Sequence, residues 1–66
     1  MTLFINDETR EVPDGLALPQ LLKQLGLAEK PVVIEHNGEA IPPSQFAGTS
    51  LKNKDRLEII TIAAGG

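Results

Sequence analysis

Sixty-six residues without a cysteine must hold together on one small hydrophobic core, with no covalent staple. A chain of this length buries only about 60% of the surface its unfolded form exposes. One domain is the limit, and deep pockets walled by its own residues are scarce. Small-molecule sites are usually large concave cavities, so an enzyme acting alone is disfavoured. The lack of Cys removes disulfides, thiolate chemistry and Cys-based zinc sites, and the expected setting is reducing and cytoplasmic. The opening apolar run, Leu3-Phe4-Ile5, has no basic residue before it and meets Asp7 almost at once. It reads as neither a signal peptide nor a membrane span.

Gly and Pro cut the chain into short elements. Leu3 to Ile5 reads as a strand, Asn6-Asp7-Glu8 as a turn, and Thr9 to Val12 as a return strand. Pro13-Asp14-Gly15 ends that hairpin. Leu18, Leu21, Leu22 and Leu25 then recur at helical spacing, which makes one apolar stripe for the core. Pro19 fits only the first helical turn, and Gly26 is a natural stop. A helix of about two turns is unstable alone, so it needs a sheet to cover its leucines. Val32-Val33-Ile34 reads as an interior strand, Asn37-Gly38 as a tight turn, and Glu39 to Ile41 as a short return. One helical turn is expected near Gln45-Phe46, with Phe46 in the core or a satellite cluster. His36 and the Lys52-Asn53-Lys54 cluster read as solvated turn residues. Arg56 to Ile62 is the last strand.

The order β-β-α-β-β-β is an α+β pattern, one main helix covering one face of a mixed sheet. The first and last strands are placed side by side in the sheet centre, parallel to one another. In the last strand Leu57 and Ile59 face the helix, while Glu58, Ile60 and Ile62 share the other face. Two exposed aliphatics beside the chain end suggest a partner-docking patch at Ile60 and Ile62.

Nine acidic residues against six basic ones give a net charge of −3, and the only aromatics are Phe4 and Phe46. There is neither the basic stripe nor the stacking platform that nucleic-acid binding needs. A protein partner with a basic surface suits the charge better. A lone His leaves no metal site.

The chemistry points to the end of the chain. After Ile62 the side chains shrink to Ala63, Ala64, Gly65 and Gly66. Four extended residues reach roughly 13 Å at about 3.3 Å each. Without a Cβ, glycine lets channel walls approach closely, so Ala63, Ala64 and Gly65 can thread a partner's active site and present the Gly66 carboxylate. That carboxylate is ionised at neutral pH, with a pKa of about 3.5. It can attack the α-phosphate of ATP and become an acyl-adenylate. A sulfur nucleophile then displaces AMP and leaves a thiocarboxylate. The catalytic groups must come from a partner. No cofactor is expected on this chain, and ATP belongs to the activating partner.

These residues resemble the ThiS family of sulfur carriers in thiamine thiazole biosynthesis, over essentially the full length. The resemblance rests on Leu3-Phe4-Ile5-Asn6, Leu21-Leu22, Val33-Ile34-Glu35-His36-Asn37-Gly38 and the ending Ile60-Thr61-Ile62-Ala63-Ala64-Gly65-Gly66. The family often has Val or Ile before a single Ala-Gly-Gly, whereas Ala63-Ala64 precede the glycines here. The resemblance implies a ubiquitin-like β-grasp domain over 1–62 and a flexible tail over 63–66. It implies adenylation at Gly66 by a ThiF-type adenylyltransferase, sulfur from a donor system, and delivery to a ThiG-type thiazole synthase. The free chain is expected to be a monomer in the cytoplasm.

Three rival readings share the features. One is a sulfur carrier for molybdopterin or cysteine synthesis. Another is a ubiquitin-like modifier joined to lysines, and a third is a binding module with an inert tail.

Overall fold

The structure, a computed structural model, describes residues 1–62. Strands β1 (Thr2–Ile5) and β2 (Glu8–Glu11) precede helix α1 (Leu18–Gln24). Strands β3 (Val32–His36), β4 (Glu39–Ile41) and β5 (Arg56–Thr61) follow, with a 3₁₀ turn at Pro43–Gln45 before β5. They form one five-stranded sheet in the order β2-β1-β5-β3-β4. The last strand is therefore central, parallel to β1 and antiparallel to β3.

Both hairpins close through two-residue turns with positive φ at each position, Asn6-Asp7 at 50° and 67° and Asn37-Gly38 at 50° and 87°. That geometry matches the right-handed twist of the strands, and Asn, Asp and Gly accept it most easily. The return strand of the first hairpin sits one residue earlier than its apolar pattern predicts. The two-residue turn fixes Ile5 opposite Glu8, so pairing starts there. Val12 lies beyond the strand, yet its N–H still donates to the Met1 carbonyl at 2.9 Å.

The helix starts where Pro19 permits, and the Gln20 side chain accepts the Ala17 N–H at 3.1 Å. It ends at Gly26, whose φ of +75° closes the last turn. Gly26 N–H reaches the Lys23 carbonyl and Leu27 N–H reaches Leu22, which satisfies carbonyls the helix would otherwise leave open. Leu18, Leu21 and Leu22 are buried against Leu3, Ile5, Ile34, Leu57 and Ile59 from the three inner strands. Phe46 and Leu25 are half-buried against that core. All of this packing lies on one side of the sheet. Among the described residues no helix is long and apolar enough to cross a membrane.

Candidate functional site: the exit of the last strand

β5 is gripped along both edges. Its register with β3 runs from His36 opposite Leu57 to Val32 opposite Thr61. On the other edge β1 pairs only at Phe4 and Ile5, because the chain turns away at Asn6. The Asn6 side chain then takes over as a substitute backbone. Its Oδ1 accepts the Ile59 N–H at 2.8 Å and its Nδ2 donates to the Ile59 carbonyl at 3.0 Å. Past the strand, Ile62 N–H donates to the Pro31 carbonyl at 3.0 Å. The chain is thus held firmly up to Ile62. Ala63, Ala64, Gly65 and Gly66, the expected working tail, lie outside the described residues.

A second polar network anchors the entry of β5. Asp55 is 9% exposed, and its Oδ2 sits 2.7 Å from His36 Nε2. It also accepts the Lys52 N–H at 2.9 Å and Asn37 Nδ2 at 3.2 Å. Asn37 Oδ1 in turn accepts the Arg56 N–H at 2.9 Å. His36 is therefore not the solvated turn residue its sequence position suggests. The strand pairing points its side chain to the helix side with Leu57, where it is 19% exposed and partnered. Lys52, Asn53 and Lys54 are exposed as expected, although Asn53 Oδ1 accepts the Thr2 N–H at 2.7 Å. The side chains of His36 and Asp55 bond each other and the turns before β4 and β5, while the Asp55 carbonyl accepts the Phe4 N–H of β1 at 2.9 Å. The pair ties the two turns to each other.

Burial alone would raise the Asp55 pKa, but hydrogen bonds from His36, the Lys52 backbone and Asn37 outweigh it and hold it below the ordinary 3.8. A carboxylate with a lowered folded-state pKa adds stability above its unfolded pKa and loses it as pH falls through the folded one. The Asp55 contribution should be complete at neutral pH and fade below pH 3.8. Asp55→Asn is expected to lower stability at pH 7 by roughly 1.5–3 kcal/mol, the range for a hydrogen bond to a charged group. It should also flatten the acid limb of the stability curve, as read by urea unfolding at a series of pH values. An unchanged acid limb would remove Asp55 from the account.

Around the exit the two expected docking residues stand in different surroundings. Ile60 is 55% exposed on the open face of the sheet, in register with Val33, itself 41% exposed. Ile62, 50% exposed, lies one residue beyond β5, where strict alternation no longer applies. It lines an open apolar groove of about 570 Å³ with Pro19, Leu22, Val32 and Phe46. Val33, expected in the core with Val32 and Ile34, stands instead on the open face because it alternates with them along the strand, and no role was read for Asn6 or the Asp55 network. An Asn directly after an apolar strand is the one local signal that could have flagged Asn6.

The ThiS family profile matches residues 3–66. The chain belongs to the ThiS family. Its fold agrees with that of a thiamine biosynthesis protein, ThiS, from Geobacter metallireducens. The crystal structure superposes with a TM-score of 0.84 at 30% identity, each chain covered completely. The solution structure of a thiamine biosynthesis protein from the same organism gives 0.79 at 30% identity, covering all of this chain and 88% of the other. The β-grasp expectation for this ThiS-family chain is met, including the parallel β1–β5 pair. A thiazole synthase from Paramagnetospirillum magneticum is 35% identical over 66 residues. The chain spans all of its own length but only 20% of that relative's. An uncharacterized ycf40 protein of Porphyra purpurea is 33% identical over 66 residues, with 93% of its length covered.

Proposed function

We propose that the chain is a sulfur carrier for the thiazole ring of thiamine, with Gly66 as the atom-bearing end. The observation that carries this reading is the family match running through Gly65-Gly66, directly after a central strand held up to Ile62. In the proposed cycle a Gly66 carboxylate oxygen attacks the α-phosphorus of ATP and expels pyrophosphate. Hydrosulfide delivered by a donor system then adds to the acyl carbon, AMP leaves with the electron pair of the broken C–O bond, and loss of the thiol proton leaves the thiocarboxylate. Gly65, Ala64 and Ala63 thread the active site of a ThiF-type adenylyltransferase, because small side chains let its walls close on the backbone. The chain itself acts as co-substrate, and the partner supplies catalysis and ATP. A ThiG-type thiazole synthase is the proposed acceptor. The thiazole synthase among the relatives favours it over molybdopterin or cysteine synthesis.

The test is the intact mass of the chain after incubation with a ThiF-type enzyme, ATP and a sulfur source. A gain equal to the difference between sulfur and oxygen is the expected result. No gain with an enzyme that is active on another carrier overturns the reading.

A further inference from the structure

Resting on the carrier reading, we propose that Asn6 is a positioning residue for adenylation. Its side-chain amide adds a rung between β1 and β5 that the backbone of β1 cannot supply, and so fixes the root from which the chain runs on to Gly66. The rungs on this edge fall at alternate residues of β5. The Asp55 carbonyl accepts the Phe4 N–H and the Leu57 carbonyl accepts the Asn6 N–H, each at 2.9 Å. The next rung belongs at Ile59, but the backbone has left the edge by then, because Asn6 and Asp7 turn with φ of 50° and 67°. An amide side chain carries the same donor and acceptor as a peptide group. Asn6 accepts the Ile59 N–H at 2.8 Å and donates to the Ile59 carbonyl at 3.0 Å, as a continuing strand would.

The rung matters most for what lies past it. On the other edge β3 holds β5 as far as Thr61, opposite Val32, and the Pro31 carbonyl holds Ile62. With Asn6 in place, the stretch held on that edge alone is Ile60 to Ile62. Without it, the one-sided stretch begins directly after Leu57 and takes in Ile59. A strand end with a single neighbour opens locally at a lower cost than the whole domain unfolds. In the proposed cycle the Gly66 carboxylate must meet the α-phosphorus of ATP, and its approach starts from Ile62. A misplacement of about 1 Å at the reacting atoms is enough to slow catalysis a hundredfold. Asn6 acts on that distance through β5.

The test uses two variants of the residue. Asn6→Gly removes both bonds and accepts the positive φ. Asn6→Asp also suits the turn, keeps the acceptor for the Ile59 N–H and sets a second oxygen against the Ile59 carbonyl. Asn37→Gly is the control. Asn37 has the same φ of 50° in the other hairpin, and its Oδ1 accepts the Arg56 N–H, so it steadies the entry of β5 and not the exit. Adenylation by a ThiF-type enzyme is followed by pyrophosphate release, stability by urea unfolding, and opening at Ile59 by amide hydrogen exchange. Both Asn6 variants should lower kcat by roughly three- to thirtyfold with KM within about twofold, and speed exchange at Ile59. Asn37→Gly should lose stability but keep the parental kcat. Rates are compared where circular dichroism finds each variant folded, and if Asn6→Gly does not fold, Asn6→Asp decides. If the parent is charged and the Asn6 variants keep its kcat, the positioning inference fails and the carrier reading stands. An equal fall in kcat for Asn37→Gly would reduce the effect to general loosening and overturn the inference. A rise in KM alone, or failure of both Asn6 variants to fold, would overturn it too. A parent never charged by an enzyme that is active on another carrier overturns both.

Discussion

Deleting Gly66 is expected to abolish sulfur loading while leaving the unfolding curve of the domain unchanged. The two halves of that expectation have separate grounds. Among the described residues the buried core extends from Leu3 to Ile59, seven positions before the last residue. Loading, in the proposed cycle, needs an acyl carbon at a fixed reach from the folded domain. A chain ending at Gly65 still has a carboxylate, but it stops roughly 3.3 Å short. Bond-making tolerates little misplacement, and even about 1 Å is enough to slow catalysis a hundredfold. Intact mass after charging reads one half, and circular dichroism in urea reads the other. A truncated chain that loads normally would remove Gly66 from the chemistry. One that unfolds would give the tail a structural role.

Leu21→Ala should leave most of the chain marginal or unfolded at room temperature. Leu21 is fully buried at the centre of the short helix, facing the sheet. Truncating a buried leucine costs about 2–5 kcal/mol, from lost burial and the cavity left behind. A domain of this size has roughly 3–10 kcal/mol in total. No disulfide limits the loss, because the chain has no cysteine. Ile60→Ala removes a similar side chain from the open face and should change stability by less than about 0.5 kcal/mol. Urea unfolding of the two variants side by side makes the comparison. Equal losses would mean that the open face carries core packing.

Local rules were enough for the elements they govern. The leucine spacing with Pro19 and Gly26 fixed the helix within a residue, and Asn37-Gly38 located the second hairpin. The parallel β1–β5 pair was legible from topology, since the two outer apolar strands had to share the middle of a small sheet. Hidden features depend on residues far apart in the chain. Asn6 bonds Ile59 across 53 positions, and no window contains both. His36 looks like a turn residue until the register with Leu57 turns it toward Asp55. The proposed working end, Gly65-Gly66, was conspicuous as composition, and it lies outside the described residues.

The central place of β5 also has a consequence during synthesis. Of the described strands, β5 is the last made, and its pairing with β1 joins Phe4 to Arg56. Closing so long a segment carries an entropic penalty that local contacts do not repay, so the sheet is completed late. A nascent chain still lacking Arg56–Thr61 has β1 and β3 with no strand between them. Its leucines have half a floor to rest on. The ribosome therefore cannot release a well-folded version of this domain that ends before the middle strand. Completion of the fold thus doubles as a check that translation has passed β5.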